Sequence, residues 1–387
     1  MKVVGLFAGV GGIEKGLREA GHECVLLCEI DPAARAVLQA HFEAPVVSDV
    51  RTLEALPETD VVTAGFPCQD LSQAGRTQGI RGEKSGLVSE IFRLLDRAAS
   101  TGRQAEPTWL LLENVPFMLK LERGSAMRYL TAELGKRGFL WAYRVVDTRA
   151  WGLPQRRQRV ILLASKTEDP RGRLFAQDAG PRDMPHWSSV ACGFYWTEGN
   201  RGLGWAVDAV PTLKGGSTLG IPSPPAIWFP SDGRVITPDI RDAERLQGFP
   251  ADWTLPATGD SKKRNGPRWR LVGNAVSVPV ARWVGERLMA TEPFEEHGEP
   301  LPSNAKWPTA AWGRGDEAFT VDLTSWPVCE PPQHLHEFLQ YPGRPLSERA
   351  TAGFLRRARN SQLKFVDGFL DALQRHLDSW RDEAKAS

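Results

Sequence analysis

The sequence lacks the marks of an oxidising compartment and of a membrane. Its five cysteines, at positions 24, 28, 68, 192 and 329, are odd in number and irregular in spacing, which excludes a secreted disulfide framework and paired CxxC zinc ligands. No run is long and apolar enough to span a bilayer. The stretch Val3 to Ile13 is broken by glycines, follows a single lysine and stops at Glu14 and Lys15, so it does not read as a secretory signal. No internal repeat or low-complexity tract stands out. An excess of one charge is missing too: 48 Lys+Arg face 47 Asp+Glu, a net charge of +1 that points to no polyanionic partner. These absences lead to the expectation of a reduced, cytoplasmic setting.

What is present is an ordinary globular composition over 387 residues, 41% hydrophobic and 25% charged, with room for about two or three domains. Apolar runs at Val3–Phe7, Val25–Glu29, Val61–Ala64, Trp109–Glu113, Trp141–Val146 and Val160–Ala164 read as strands. They alternate with helical patterns at Gly12–Ala20, Ala33–His41, Leu87–Ala99 and Ala126–Arg137, the rhythm of a doubly wound, mostly parallel α/β sheet over residues 1–165. Residues 166–270 are punctuated by Gly, Pro and Trp and read as a smaller irregular domain. Residues 271–290 carry a helix with apolar positions 276, 280, 284 and 288 that returns to the first domain. The remainder, 291–387, is an extension whose stripe at 363, 366, 370, 373, 377 and 380 predicts an amphipathic helix. That helix is expected to pack against the first domain, with a dimer or partner contact as the alternative.

The turn Leu6-Phe7-Ala8-Gly9-Val10-Gly11-Gly12 ends a strand and opens a helix, where a doubly wound sheet binds nucleotide-like ligands. The third glycine of a dinucleotide fingerprint is replaced by Glu14, a poor neighbour for a pyrophosphate, so a ligand without phosphate suits the loop better. Glu29 at the end of the second strand has the right chemistry for two ribose hydroxyls, and Asp49 for an adenine amino group. The alternative is that both are solvated strand-end carboxylates. Further on, Gly65-Phe66-Pro67-Cys68-Gln69 places a cysteine in a loop at the same sheet edge, before a glycine-rich stretch from Gln73 to Gly86. That placement suits a nucleophile, against the alternative of a buried structural thiol. Glu113 ends an apolar strand, where desolvation can raise a carboxyl pKa. In Pro154-Gln155-Arg156-Arg157-Gln158-Arg159, alternation puts Arg157 and Arg159 on one face, either at a site or simply in solvent.

FAGVGG at 7–12, Glu29, SDV at 48–50, GFPCQDLS at 65–72, ENV at 113–115, PQRRQR at 154–159, RLQGFP at 245–250 and GNAVSVPVA at 273–281 follow one another in fixed order. This constellation resembles the prokaryotic C5-cytosine DNA methyltransferases from residue 1 to about 290. The resemblance implies the Rossmann-like mixed sheet of S-adenosylmethionine-dependent methyltransferases. It implies that Phe7, Gly9, Gly11, Gly12, Glu29, Ile30, Asp49, Val50, Pro67 and Leu87 contact S-adenosylmethionine, with Asn274, Ala275 and Val276 completing the pocket. It implies that Cys68 attacks C6 of a flipped cytosine, that Glu113 contacts N3 and the exocyclic amine, and that Arg157 and Arg159 brace the glutamate and the base. The irregular domain takes the place of the target-recognition domain, with Val210-Pro211-Thr212-Leu213 resembling its Thr-Leu element. Gln69, Ser72, Gln155 and Thr212 are then DNA contacts. The implied partner is double-stranded DNA, and the resemblance admits a cognate restriction endonuclease in a restriction-modification or phage-defence system; the sequence leaves the oligomeric state open, with a monomer as the expectation. No metal is implied.

Two features depart from the pattern. The stretch from Thr237-Pro238 to Arg245 is longer than usual and has Asp242 where Glu is common. The tail beyond about 290 matches no motif of the family. A transfer RNA methyltransferase of the same scaffold would carry Cys-Phe-Thr where this chain has Cys192-Gly193-Phe194. A silent DNA-binding relative fits poorly with an intact Cys68, Glu113, Gln155, Arg157 and Arg159, and a nicotinamide oxidoreductase fits poorly with Glu14. Finally, the neutral average hides local charge. Residues 144–173 hold eight Lys/Arg against three Asp/Glu, and residues 261–270 hold five and none. Both segments, with Lys262, Lys263 and Arg264 in the second, are expected to hold DNA phosphates.

Overall fold

Apolar runs of the first 165 residues become strands of one large sheet, in a computed structural model that describes residues 1–67, 86–101, 106–216, 223–259, 266–290, 292–295 and 298–386. The strands are β1 (Lys2–Leu6), β2 (Glu23–Cys28), β3 (Val46–Val47), β4 (Val61–Ala64), β5 (Trp109–Asn114), β6 (Leu140–Asp147) and, after the two-residue β7 (Gln155–Arg156), β8 (Gln158–Ser165). Helices α1 (Gly12–Glu19), α2 (Pro32–His41), α3 (Leu87–Thr101) and α4 (Ser125–Lys136) fall between them, within one or two residues of expectation. The pairs β1–β2, β1–β4, β2–β3 and β4–β5 are parallel, whereas β8 runs antiparallel to both β5 and β6. The sheet is therefore mixed. Every residue of β5 is buried, as a central strand covered on both faces requires. The antiparallel β8 brings its first residues to the same edge as the carboxyl ends of β4 and β5, which is what positions the site.

The chain divides into two compact units: residues 1–150, 158–181 and 275–329, and residues 151–157, 182–274 and 330–387. These cut across the boundaries expected at 165, 270 and 290. In the first unit, α5 (Pro170–Phe175) precedes the excursion into the second, and the chain returns through α8 (Val278–Met289). This helix buries Val280, Val284 and Leu288. It crosses α1 at such close range that a β-carbon on Gly16 would lie 2.6 Å from that of Ala281. The tail is not one appendage. Its strands β14 (Glu299–Pro300), β15 (Ala310–Arg314) and β16 (Glu317–Thr320) extend the large sheet antiparallel from β6, completing ten strands in the order β14-β16-β15-β6-β8-β5-β4-β1-β2-β3.

The second unit has a five-stranded sheet of short strands: β9 (Cys192–Phe194), β10 (Ala206–Val207), β12 (Ala226–Trp228), β13 (Val235–Thr237) and β17 (Arg344–Pro345), in the order β10-β9-β12-β13-β17. A separate ladder pairs β11 (Val210–Pro211) with β7 in parallel. Helices α6 (Ile240–Leu246), α7 (Gly266–Asn274), α9 (Leu335–Phe338), α10 (Glu348–Arg359) and α11 (Phe369–Ala386) complete the unit. The expected terminal helix therefore starts later than its stripe: Gly368 takes a left-handed φ of 75° and breaks the run, so positions 363 and 366 lie outside it. It also packs elsewhere than expected. Leu373 and Leu377 join Phe354, Phe194, Trp228 and Val235 in the core of the second unit, because the short strands leave an apolar face to cover. Asp242, the departure noted in the sequence, explains part of this docking. Its buried carboxylate accepts the N–H groups of Gln340 and Tyr341 at 3.1 and 3.0 Å.

The charge expectation for residues 144–173 is also corrected. Arg144 is fully buried and donates to Thr324 O at 3.0 Å while pairing with Asp178. Arg149 pairs with Asp147, Lys166 with Glu106, Arg171 with Asp169, and Arg173 with Glu168. Charge counting along a sequence does not register such internal pairing, so most of these cations are engaged within the fold.

Candidate active site

The glycine turn is the first element of the site. Phe7, Gly9 and Gly11 take φ of 56°, 56° and 80°, a left-handed series that a non-glycine residue adopts only at a cost of roughly 1–2 kcal/mol. Glu29 fastens the turn: its Oε2 accepts the Gly9 N–H and its Oε1 the Asp31 N–H, both at 2.8 Å. A β-carbon on Gly12 would stand 2.4 Å from Val276 O, so only glycine lets the segment before α8 lie against the loop. Ala275 and Val276 are buried there, and Ser277 shares a hydrogen bond of 3.0 Å with Thr148. Beside Glu29, the apolar Ile30 is 61% exposed, and the space in front of Gly9 is open. Asp49 caps the turn Val50–Thr52 and holds Arg51 at 2.6 Å, whose hydrogen bond keeps the Asp49 carboxyl below its usual range. Val50 is buried, Leu87 starts α3 against the main core, and Pro67 is exposed.

These residues fit an adenosine-type ligand without phosphates. The open cradle at Gly9, the exposed apolar Ile30 and two strand-end carboxylates match a nucleoside. The place of the third fingerprint glycine is filled by Glu14, which turns inward. Glu14 is buried, accepts the Thr63 hydroxyl at 2.9 Å, and is pushed up to about 7 by that burial.

The second element is a buried ion pair. Arg159 Nε donates to Glu113 Oε1 at 2.8 Å, joining the last turn of β5 to the start of β8. Both side chains are nearly buried, and desolvation lowers the Arg159 pKa while Glu113 opposes it. Glu113 Oε2 lies 3.5 Å from where a β-carbon on Gly65 would stand, so the carboxylate faces the head of the loop that continues into Cys68. Asn114, whose part was not foreseen, donates from Nδ2 to Phe66 O at 3.0 Å and pins that loop head. Its position inside the ENV motif was the available signal.

The second unit holds the other predicted residues, and two of them are buried. Gln155, expected at DNA, is fully buried: its amide donates to Leu246 O at 2.7 Å and accepts the Leu213 N–H at 3.2 Å. Arg157 is equally buried and donates to Leu213 O at 3.1 Å and Gly273 O at 3.2 Å. The alternation of Gln155, Arg157 and Arg159 as buried positions holds, and the first two hydrogen-bond to Leu213 of the Val210–Leu213 segment. Thr212 is half-buried and donates to Arg156 O at 2.8 Å. Asn274 ends α7 exposed, with its Oδ1 against Gly215.

Cys68, Gln69, Ser72, residues 73–85, Lys262, Lys263 and Arg264 lie outside the described residues. Burial pushes the Cys24, Cys28 and Cys192 thiols up to about 12, 11 and 12, which favours the protonated thiol over the thiolate. Among the described residues no group of three His, Cys, Asp or Glu side chains is arranged to hold a metal, and no helix is long and apolar enough to cross a membrane.

The sequence profile of C-5 cytosine-specific DNA methylases matches residues 1–188 and 212–290. The type II methyltransferase M2.BsuMI of Bacillus subtilis (strain 168) is 50% identical over 386 residues, 98% of each chain, so that likeness runs through the tail as well. The type II methyltransferase M.NlaX of Neisseria lactamica is 28% identical over 321 residues, covering 75% of this chain and 96% of the relative. Among solved structures, the S. pombe Dnmt2 methyltransferase shares the fold, with a TM-score of 0.50 at 17% identity over 73% of this chain and 96% of its own. With the profile matched over both parts of the site and a full-length relative at half identity, the chain belongs to the C-5 cytosine-specific DNA methylase family.

Proposed function

We propose that the protein transfers a methyl group from S-adenosylmethionine to C5 of a cytosine extruded from duplex DNA, using Cys68 as nucleophile. The observation that carries this reading is the buried Glu113–Arg159 pair, held against the head of the loop that leads to Cys68. The cradle of Gly9, Gly11 and Gly12 with Glu29, Ile30 and Asp49 would hold the cofactor. Bound there, S-adenosylmethionine supplies an electrophilic methyl on a sulfonium.

Carbon 5 of cytosine is a poor nucleophile until a thiolate adds across the C5–C6 bond. The Cys68 thiolate Sγ bonds to C6, and the negative charge that develops on the ring is stabilised by a proton delivered to N3 from the protonated carboxyl of Glu113, which Arg159 fixes in place. C5 then takes the methyl as the sulfonium's S–CH3 bond breaks and leaves a neutral thioether; C5 gives its proton to a base, and the electron pair left behind reforms the C5–C6 double bond and expels Cys68 as thiolate as the C6–S bond breaks. Arg157 and Gln155 act as positioning residues for the Thr-Leu element of a recognition unit. Extrusion of the base is required because C5 and C6 are not open to in-line attack within the stack. The names of the type II relatives support a role in restriction-modification.

Bisulfite sequencing of DNA from a host expressing the chain tests this. Methylcytosine should appear at one short sequence and vanish with Cys68→Ala. Unmodified DNA from the parent, or methylation that survives in Cys68→Ala, contradicts the reading.

A further inference from the structure

Beyond the segments at 144–173 and 261–270, the second unit carries a further run of positive charge. Residues 344–364 hold six Lys/Arg and one Asp/Glu. Helix α10 within them is amphipathic: Ala350, Thr351, Phe354, Leu355 and Ala358 are buried. Arg349 and Arg356, seven residues apart and therefore on one face, are exposed, with only the small Ala352 and Gly353 between them on that face. No carboxylate pairs with either arginine among the described residues, whereas the nearby Glu348 faces Arg381 at 3.9 Å.

The helix is also latched to the element assigned to DNA. Arg357 donates to Glu198 O at 2.9 Å and Trp196 O at 2.6 Å. The Glu198 carboxylate pairs in turn with Lys214, two residues beyond Thr212. A rigid, acid-free cationic face joined to the Thr-Leu element is suited to a polyanion with regularly spaced charges.

We infer that the outer face of α10, through Arg349 and Arg356, is a phosphate-binding surface for the backbone of duplex DNA, built from the tail outside the family's common motifs. This rests on the DNA reading above. The surface adds affinity without base readout, because phosphate contacts carry no sequence information.

The test uses the full-length protein and a fluorescent duplex of about 30 base pairs, titrated by anisotropy between about 50 and 250 mM KCl. In R349Q/R356Q the plot of log affinity against log salt should become shallower by about two, near one per lost phosphate contact, and affinity at about 100 mM should fall about tenfold or more. The single variant R375Q, which removes a charge from an exposed position on α11, should match the parent, and circular dichroism should be unchanged in every variant. A parent-like R349Q/R356Q overturns the surface while the methyltransferase reading stands. So does a slope change in R375Q equal to half that of R349Q/R356Q, the same effect per removed charge, which marks a net-charge effect. A parent that does not bind duplex at about 50 mM KCl overturns the DNA reading and this surface with it.

Discussion

The large sheet of the first unit and the small sheet of the second are stabilised differently. Strands β5, β6 and β8 run six to eight residues and sit side by side, so apolar runs close together in sequence bury one another. In the second unit β9, β12 and β13 have three residues each. Strands so short present too little apolar area to be stable alone. Their missing face comes from far down the chain: of fourteen buried residues in that cluster among the described residues, nine lie at or beyond Leu346. The central strands of the large sheet thus cover one another with segments near in sequence, while the small sheet relies on a distant clamp.

Ending the chain after Ser347 should break this comparison most severely. It removes Phe354, Leu355, Phe369, Leu373 and Leu377 from the second core. At roughly 1.5–3 kcal/mol for each fully buried large side chain, the loss is comparable to the whole stability of a domain. Limited proteolysis should cut the truncated protein within residues 182–274 while the segments of the first unit resist. A truncated protein as resistant throughout as the parent contradicts the clamp.

A smaller effect sharpens the other side. Burial raises Glu14 to about 7, against the ordinary 4.5 of the unfolded chain. Between those values unfolded molecules release the proton and folded ones keep it, so stability falls as pH rises through the window and levels off above it. The first unit should lose on the order of 3 kcal/mol from about pH 4.5 to 7 through this group. Glu14→Gln should remove that share of the slope in urea titrations and leave the second unit unaffected. A pH dependence identical to the parent's argues against a protonated Glu14.

The same contrast decided what the sequence disclosed. Long apolar strands and the helices between them were legible because their period extends over enough residues to register. The strands of β9 to β13 were not, since two or three residues establish no alternation. The hairpin of β15 and β16 was missed although Gly315, with a left-handed φ of 58°, and Asp316 form a recognisable turn. Helix α10 was missed although Ser347 caps it through the Ala350 N–H. At the site, motif order located Glu113, Arg159 and the glycine turn. It could not separate Arg159, which meets a carboxylate, from Arg157, which meets backbone carbonyls, because both are buried arginines two residues apart. The charge of residues 144–173 misled for a related reason: most of those cations already have partners within the fold.

The central claim is that Cys68 bonds to cytosine C6 beside Glu113 and Arg159. Duplex DNA carrying 5-fluorocytosine at the methylated position, incubated with the protein and S-adenosylmethionine, should yield a covalent complex, since fluorine at C5 cannot leave as a proton does. Peptide mass spectrometry should place the bond on Cys68. Absence of any adduct under conditions that methylate ordinary cytosine, or a bond to Cys329, would contradict the account.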